Sequence, residues 1–92
     1  MADSKSFQYS IVTPQVAHLN RSAESVVVPA CDGELGVLHN HAPMVAKLTA
    51  GEMRITSDQR TESWFVDAGF LQVKDNNVSV IVTEAAPVSE LD

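Results

Sequence analysis

Alternation of apolar and polar residues constrains this chain more than any other feature. FQYSIVT (residues 7–13) sets Phe7, Tyr9 and Ile11 against polar neighbours, the period of two that turns one face of a β-strand to a core and the other to water. ESVVVPA (24–30) is β-branched up to Pro29, EMRITS (52–57) alternates Met53 and Ile55 with polar residues, and ESWFVDA (62–68) is apolar at its centre. FLQVK (70–74) alternates Leu71 and Val73, and NVSVIVTE (77–84) places Val78, Val80 and Val82 on one face and Ser79, Ile81 and Thr83 on the other. Between these runs lie TPQ (13–15), ACDG (30–33), HNHAP (39–43), TAG (49–51), SDQR (57–60) and KDNN (74–77), all rich in turn-forming residues. Breaks recurring every ~8–12 residues predict an all-β, mostly antiparallel flattened sandwich or barrel. No stretch before residue 84 carries a sustained helical period. Pro87 is expected to stop the last strand, and Ser89-Glu90-Leu91-Asp92 reads as a helix start, an N-cap serine followed by acids. The predicted organisation is one sandwich domain over 1–86 and a tail or linker start over 87–92.

At 92 residues the chain is one small domain able to bury a core of its own. Hydrophobic residues at 45% and charged residues at 20% place it among globular chains rather than disordered ones. The net charge is −6, and the six lysines and arginines are scattered. Such a chain repels a phosphate backbone and an anionic bilayer alike, so neither nucleic acid nor direct lipid binding is expected. One cysteine, Cys31, forms no intrachain disulfide, which fits a reducing compartment; it reads as a small turn residue. The first ten residues lack the apolar core of a signal peptide, and no apolar run approaches the ~20 residues of a membrane span.

The chemically suggestive residues gather in DGELGVLHNHAPMV (32–45). His39 and His41, two apart, could share a strand face and chelate a metal. A zinc site needs a third and fourth ligand, and the candidates His18, Cys31, Asp32 and Glu34 form no familiar ligand spacing. No serine lies in a G-x-S-x-G elbow, and GELG is neither a dinucleotide fingerprint nor a phosphate loop. Asp67 could be a buried carboxylate; the better reading is a tight strand-to-strand corner in which a glycine permits an unusual backbone angle. A small metal-binding or hydrolytic β domain using His39, His41 and Glu34 is therefore the second reading. A free-standing adhesion sandwich is a third, opposed by the missing disulfide and secretion signal. The first is a docking surface, because a run of small and apolar residues with one acid suits contact with another protein. No cofactor or metal is expected.

VVVPACDGELGVLHNHAPMVAKLTAGEMRI (26–55) and FVDAGFLQVKDNNVSVIVTEA (65–85) together resemble the epsilon subunit of bacterial and chloroplast rotary ATP synthases, equivalent to the mitochondrial delta subunit. The resemblance spans nearly the whole chain. It departs from the family pattern where His39-Asn40 replaces the usual Pro-Gly, a place where Asn40 can adopt the left-handed conformation, and at Ala68, where a glycine is common. The family commonly adds a C-terminal helical hairpin, and the sequence ends where that hairpin is expected to begin. The resemblance implies a sandwich of about ten short strands and a subunit with no catalytic site of its own, part of a proton-transporting two-sector ATPase. Its partners would be the gamma subunit and the c-subunit rotor ring, at the cytoplasmic face of a bacterial membrane or its organellar equivalent. It implies a ring contact at Glu34 in a GELG turn and gamma contacts at Thr13, His41 and Ala46. For Leu35, Val37, Phe70, Leu71, Val73 and the valines at 78, 80 and 82, packing is expected. ATP binding, which the family places in the helices, is not expected.

Overall fold

A computed structural model describes residues 6–14 and 19–88. The strands are β1 (Phe7–Val12), β2 (Leu19–Ala23), β3 (Ser25–Ala30), β4 (Gly33–Leu38), β5 (Met44–Leu48), β6 (Gly51–Ser57), β7 (Arg60–Val66), β8 (Gly69–Lys74), β9 (Asn77–Val82) and β10 (Ala85–Pro87). They form one curled sheet in the order β10-β7-β6-β3-β5-β8-β9-β1-β2, with β4 paired to β3. The β1–β9 pair is parallel and the others antiparallel. β3 pairs with β6 through Ser25, Val26 and Val27, but with β5 only at Ala30 opposite Leu48. The sheet doubles over at that narrow bridge, and β10-β7-β6-β3-β4 covers β5-β8-β9-β1-β2 as a sandwich.

The alternation read from the sequence faces the way it predicts. Phe7, Tyr9, Ile11, Met53, Ile55, Leu71, Val73, Val78, Val80 and Val82 are all buried, joined by Val26, Val28, Val37 and Val66 of β3, β4 and β7 and by Leu48 of β5. The core takes no buried polar or charged residue among those described, and each buried valine or leucine contributes ~1.5–3 kcal/mol; against this, the Trp64 indole Nε1–H is buried without a hydrogen-bond partner, which carries a desolvation cost. The turns follow the same local chemistry. Asp58-Gln59 and Asp75-Asn76 all have positive φ (53°, 66°, 53° and 62°). This is the two-residue geometry whose twist matches the flanking strands. Asn40 is left-handed at φ 62°, as expected of an asparagine standing in for glycine.

Four local expectations are corrected. GELG is not a turn: Gly33 to Leu38 is the strand β4, in register with β3 from Ala30↔Gly33 to Ser25↔Leu38. The turn is Cys31-Asp32, and Gly33 takes φ 119° to leave it. Pro87 does not stop the last strand, since β9 has ended at Val82 and Pro87 pairs with Trp64 in β10. A proline is tolerated there because β10 is an edge strand. Asp67 does lie at a corner, half-buried, its carboxylate accepting the Ala68 N–H at 2.8 Å. The neighbouring Gly69, however, serves close approach rather than an unusual angle: a Cβ there would sit 2.0 Å from the Ile81 carbonyl oxygen. Finally, Phe70 is 52% exposed rather than packed. The helix start expected at 89–92, and His18, lie outside the described residues.

The free flank of β2 meets the other layer without a strand ladder. There Arg21 donates to the buried Tyr9 hydroxyl and lies 3.8 Å from Glu62 of β7. Burial, reinforced by the Glu62 carboxylate and opposed by Arg21, pushes the Tyr9 phenol above its ordinary 10.0. The folded state thus holds that proton more tightly than the unfolded chain does. Its contribution is intact below pH about 10 and is lost as pH rises beyond that. The melting temperature of the native chain is expected to fall more steeply above pH about 10 than that of Tyr9→Phe; parallel profiles would remove Tyr9 from the alkaline transition.

Val80 gives a sharper test of the core. It is fully buried between Ile11 of β1 and Leu71 of β8. Val80→Asp places an unpaired carboxylate there, a cost of about 4 kcal/mol or more against a stability of that order. Circular dichroism is expected to show an unfolded or barely folded chain. Near-native melting would mean the β9 face does not pack as described.

Candidate docking surface

The β4 strand presents Glu34 outward. Both of its carboxylate oxygens accept from Arg54 Nη2 at 3.3 Å, across the sheet from β6, and Arg54 Nη1 also lies 3.7 Å from Glu52. One guanidinium thus serves two acids, and the patch keeps a surplus of negative charge. The pair is solvent-exposed and so worth at most ~1 kcal/mol to stability. Glu34 lies beside the bridge where the layers join, since its neighbour Gly33 opposes Ala30.

His39 and His41 lie at the other end of β4, in the turn and connection that lead to β5. The His41 backbone N–H donates to Leu38 O at 3.1 Å, and His41 Nδ1 lies 2.8 Å from Ala42 O. The Asn40 N–H donates to the side-chain oxygen of Asn76 at 2.8 Å. The run from Glu34 to Leu38 alone extends ~13 Å at strand rise, so Glu34 and the two histidines do not converge. No group of three or more His, Cys, Asp or Glu side chains among the described residues is arranged to hold a metal. A cleft lined by Tyr9, Arg21, Asp58, Arg60 and Glu62 opens at the β2 flank. It balances two cations against two anions, and it holds neither histidine nor Glu34.

The outer face of β5-β8-β9-β1 carries what sequence reasoning missed. Val45, Phe70 and Ile81 are 67%, 52% and 44% exposed. Phe70 stands opposite Ile81 across β8 and β9, and Ile81 opposite the half-buried Val12 of β1. Val45 opposes Gln72, which makes Phe70 its diagonal neighbour, within reach of an aromatic ring. The result is an oblique apolar stripe over four strands, flanked by Lys47, Gln72 and Ser79. The signal was present: if Leu71 and Val73 face inward, Phe70 must face outward. Thr13 is half-buried just beyond Val12, at one end of the stripe. Its other end, at Val45, leads towards the connection carrying His41. Ala46 turns the opposite way, packing partly buried against the core. The outward residues of β5 are Val45 and Lys47.

Residues 6–88 match the family model described as ATP synthase, Delta/Epsilon chain, beta-sandwich domain. The chain belongs to that family. It is 40% identical over 86 residues to the sodium-ion-specific ATP synthase epsilon chain of Propionigenium modestum, covering 94% of this chain and 63% of that protein. It is 44% identical over 82 residues to the ATP synthase epsilon chain of Rhodopirellula baltica, covering 89% and 64%. The chain therefore spans a little under two-thirds of the length of these relatives. Its fold is shared with a chain of the Euglena gracilis mitochondrial ATP synthase, in a structure comprising OSCP, F1 and c-ring, at a TM-score of 0.88 and 20% identity over 100% of this chain and 59% of that one. A chain of the Tetrahymena thermophila mitochondrial ATP synthase central stalk and c-ring matches at a TM-score of 0.77 and 14% identity, covering 91% and 68%.

The exposure of Glu34 has a direct consequence for this family member. Glu34→Lys removes one exposed ion pair and sets a lysine beside Arg54. The cost is expected to stay within about 1 kcal/mol, read as a small shift of the denaturant midpoint. A loss several times larger would show that the Glu34–Arg54 pair holds β4 onto the sheet.

Proposed function

We propose that this chain is a non-catalytic part of the central stalk of a proton-translocating ATP synthase, docking the gamma subunit onto the c-subunit ring. In this reading the stripe of Val45, Phe70 and Ile81, bounded by Thr13 and by the connection carrying His41, receives gamma. The Glu34 end of β4 meets the ring. Ion flow through the membrane then reaches the catalytic head through a stalk that does not slip, and the bond-making chemistry belongs to other subunits. The protein sits peripherally, on the cytoplasmic side of a bacterial membrane or its organellar counterpart.

The observation that carries this reading is the stripe. An apolar surface running over four strands of an otherwise acidic domain is the feature expected of a partner interface. Family membership supplies the identity of the partners, and the central-stalk and c-ring complexes that share the fold fit the same assignment. Glu34 lies on one layer and the stripe that ends at Thr13 on the other, which suits contact with two partners. The surplus negative charge around Glu34, Glu52 and Arg54 suits basic or polar loops on a ring. The second reading, a metal-binding or hydrolytic domain, is not favoured, because its residues lie at opposite ends of β4.

Phe70→Asp tests the gamma contact. Phe70 is exposed, so the variant is expected to fold, as circular dichroism would verify. A charge placed in an apolar hot spot costs about 2 kcal/mol or more, so calorimetry against purified gamma should show binding at least about 30-fold weaker. Unchanged affinity would exclude the stripe from the interface. Glu34→Lys, in contrast, is expected to bind gamma normally and to lower ion-driven ATP synthesis in the reassembled enzyme; unaltered synthesis would exclude Glu34 from the ring contact.

A further inference from the structure

Asn76 occupies the second place of the β8–β9 turn, where the backbone is left-handed at φ 62°. Glycine meets that requirement at least steric cost, which is why X-Gly dominates such turns. An asparagine there makes bonds that a glycine lacks. Its side-chain oxygen accepts the Asn40 N–H at 2.8 Å. Its side-chain nitrogen donates to the Ser6 carbonyl at 3.0 Å. Its backbone carbonyl, as a glycine's would, accepts the Gln8 N–H at 3.2 Å. One residue thus ties three segments distant in sequence: the β8–β9 turn, the entry to β1, and the connection from β4 to β5. That connection crosses from one layer to the other and carries His39 and His41. Asn40 is itself left-handed, so its N–H is directed by a backbone conformation that only a few residue types adopt readily.

We propose that Asn76 is the positioning residue for the docking loop 39–43, fixing through the Asn40 N–H the geometry in which His41 and the start of β5 are offered to gamma. The proposal rests on the gamma-docking reading. It acts through preorganisation: a loop held in its bound shape loses less freedom on association.

The test uses two substitutions with opposite expectations. Asn76→Gly keeps the left-handed turn and removes both side-chain bonds. Asn76→Asp keeps an acceptor for the Asn40 N–H and removes the donor to Ser6. Both are measured by calorimetry against purified gamma and by amide hydrogen exchange at Asn40. The glycine variant is expected to keep the circular dichroism of the parent, to exchange the Asn40 amide at least about tenfold faster, and to bind gamma about tenfold more weakly. The aspartate variant is expected to keep both values within about threefold of the parent. A glycine variant with parental exchange and affinity overturns the proposal. So does an aspartate variant as weak as the glycine one, since the bond that matters would then be the one to Ser6. If the parent chain does not bind gamma at all, the docking reading fails. Asn40 exchange still decides whether Asn76 holds the loop.

Discussion

One strand has to belong to both layers of this sandwich, and the rest of the structure depends on how it does so. β3 gives its early residues to β6 and its last residue to β5, at Ala30 opposite Leu48. Pro29 lies at the junction. It has no N–H to offer, but its carbonyl accepts the Thr49 N–H at 2.8 Å, while the Cys31 N–H reaches Lys47 O at 3.1 Å. The backbone bonds that a broken ladder would leave unmet are thereby satisfied around the fold. Gly51, at the start of β6, comes so close that a Cβ would stand 2.9 Å from the proline ring. Without this close crossing the two apolar faces would not meet.

Because the core is built by that crossing, its membership was legible wherever alternation was strict. In β1, β8 and β9 the period of two leaves no ambiguity, and the valines of β9 face inward as their spacing requires. β4 was not legible. Its outward positions are Glu34, Gly36 and Leu38, two of them turn-like or charged, and only Leu35 and Val37 face inward. It is a strand because β3 supplies a complete ladder beside it, and that is tertiary context rather than local propensity. Phe70 illustrates the opposite error. Its hydrophobicity suggested packing, whereas its position in the alternation set it outside; geometry prevailed.

The candidate surface was legible only in part. A loop with two histidines drew the reading of residues 32–45, and the asparagine at 40 was correctly expected to turn left-handed. The stripe could not be seen in the same way. Val45, Phe70 and Ile81 belong to three strands and become neighbours only through the registers of β5, β8 and β9. The Glu34–Arg54 pair likewise depends on β4 and β6 both flanking β3. Sequence supplies such residues singly; pairing assembles them.

An exposed apolar stripe carries an aggregation hazard that the remaining surface must contain. The net charge of −6 keeps copies of the chain apart at long range. At short range the stripe is narrow, because Lys47 and Gln72 stand on the same outer face as Val45 and Phe70 and interrupt it with polar groups. Two of the sheet edges are managed too. β10 ends in Pro87, which cannot extend a ladder, and β2 lies along the opposite layer with Arg21 reaching to Glu62. These devices oppose strand-to-strand association while leaving the stripe itself uncovered. Leu38 of β4 and Phe65 of β7 are also exposed, at 63% and 49%, but among the described residues only those on β5-β8-β9-β1 adjoin across strands as an oriented apolar band.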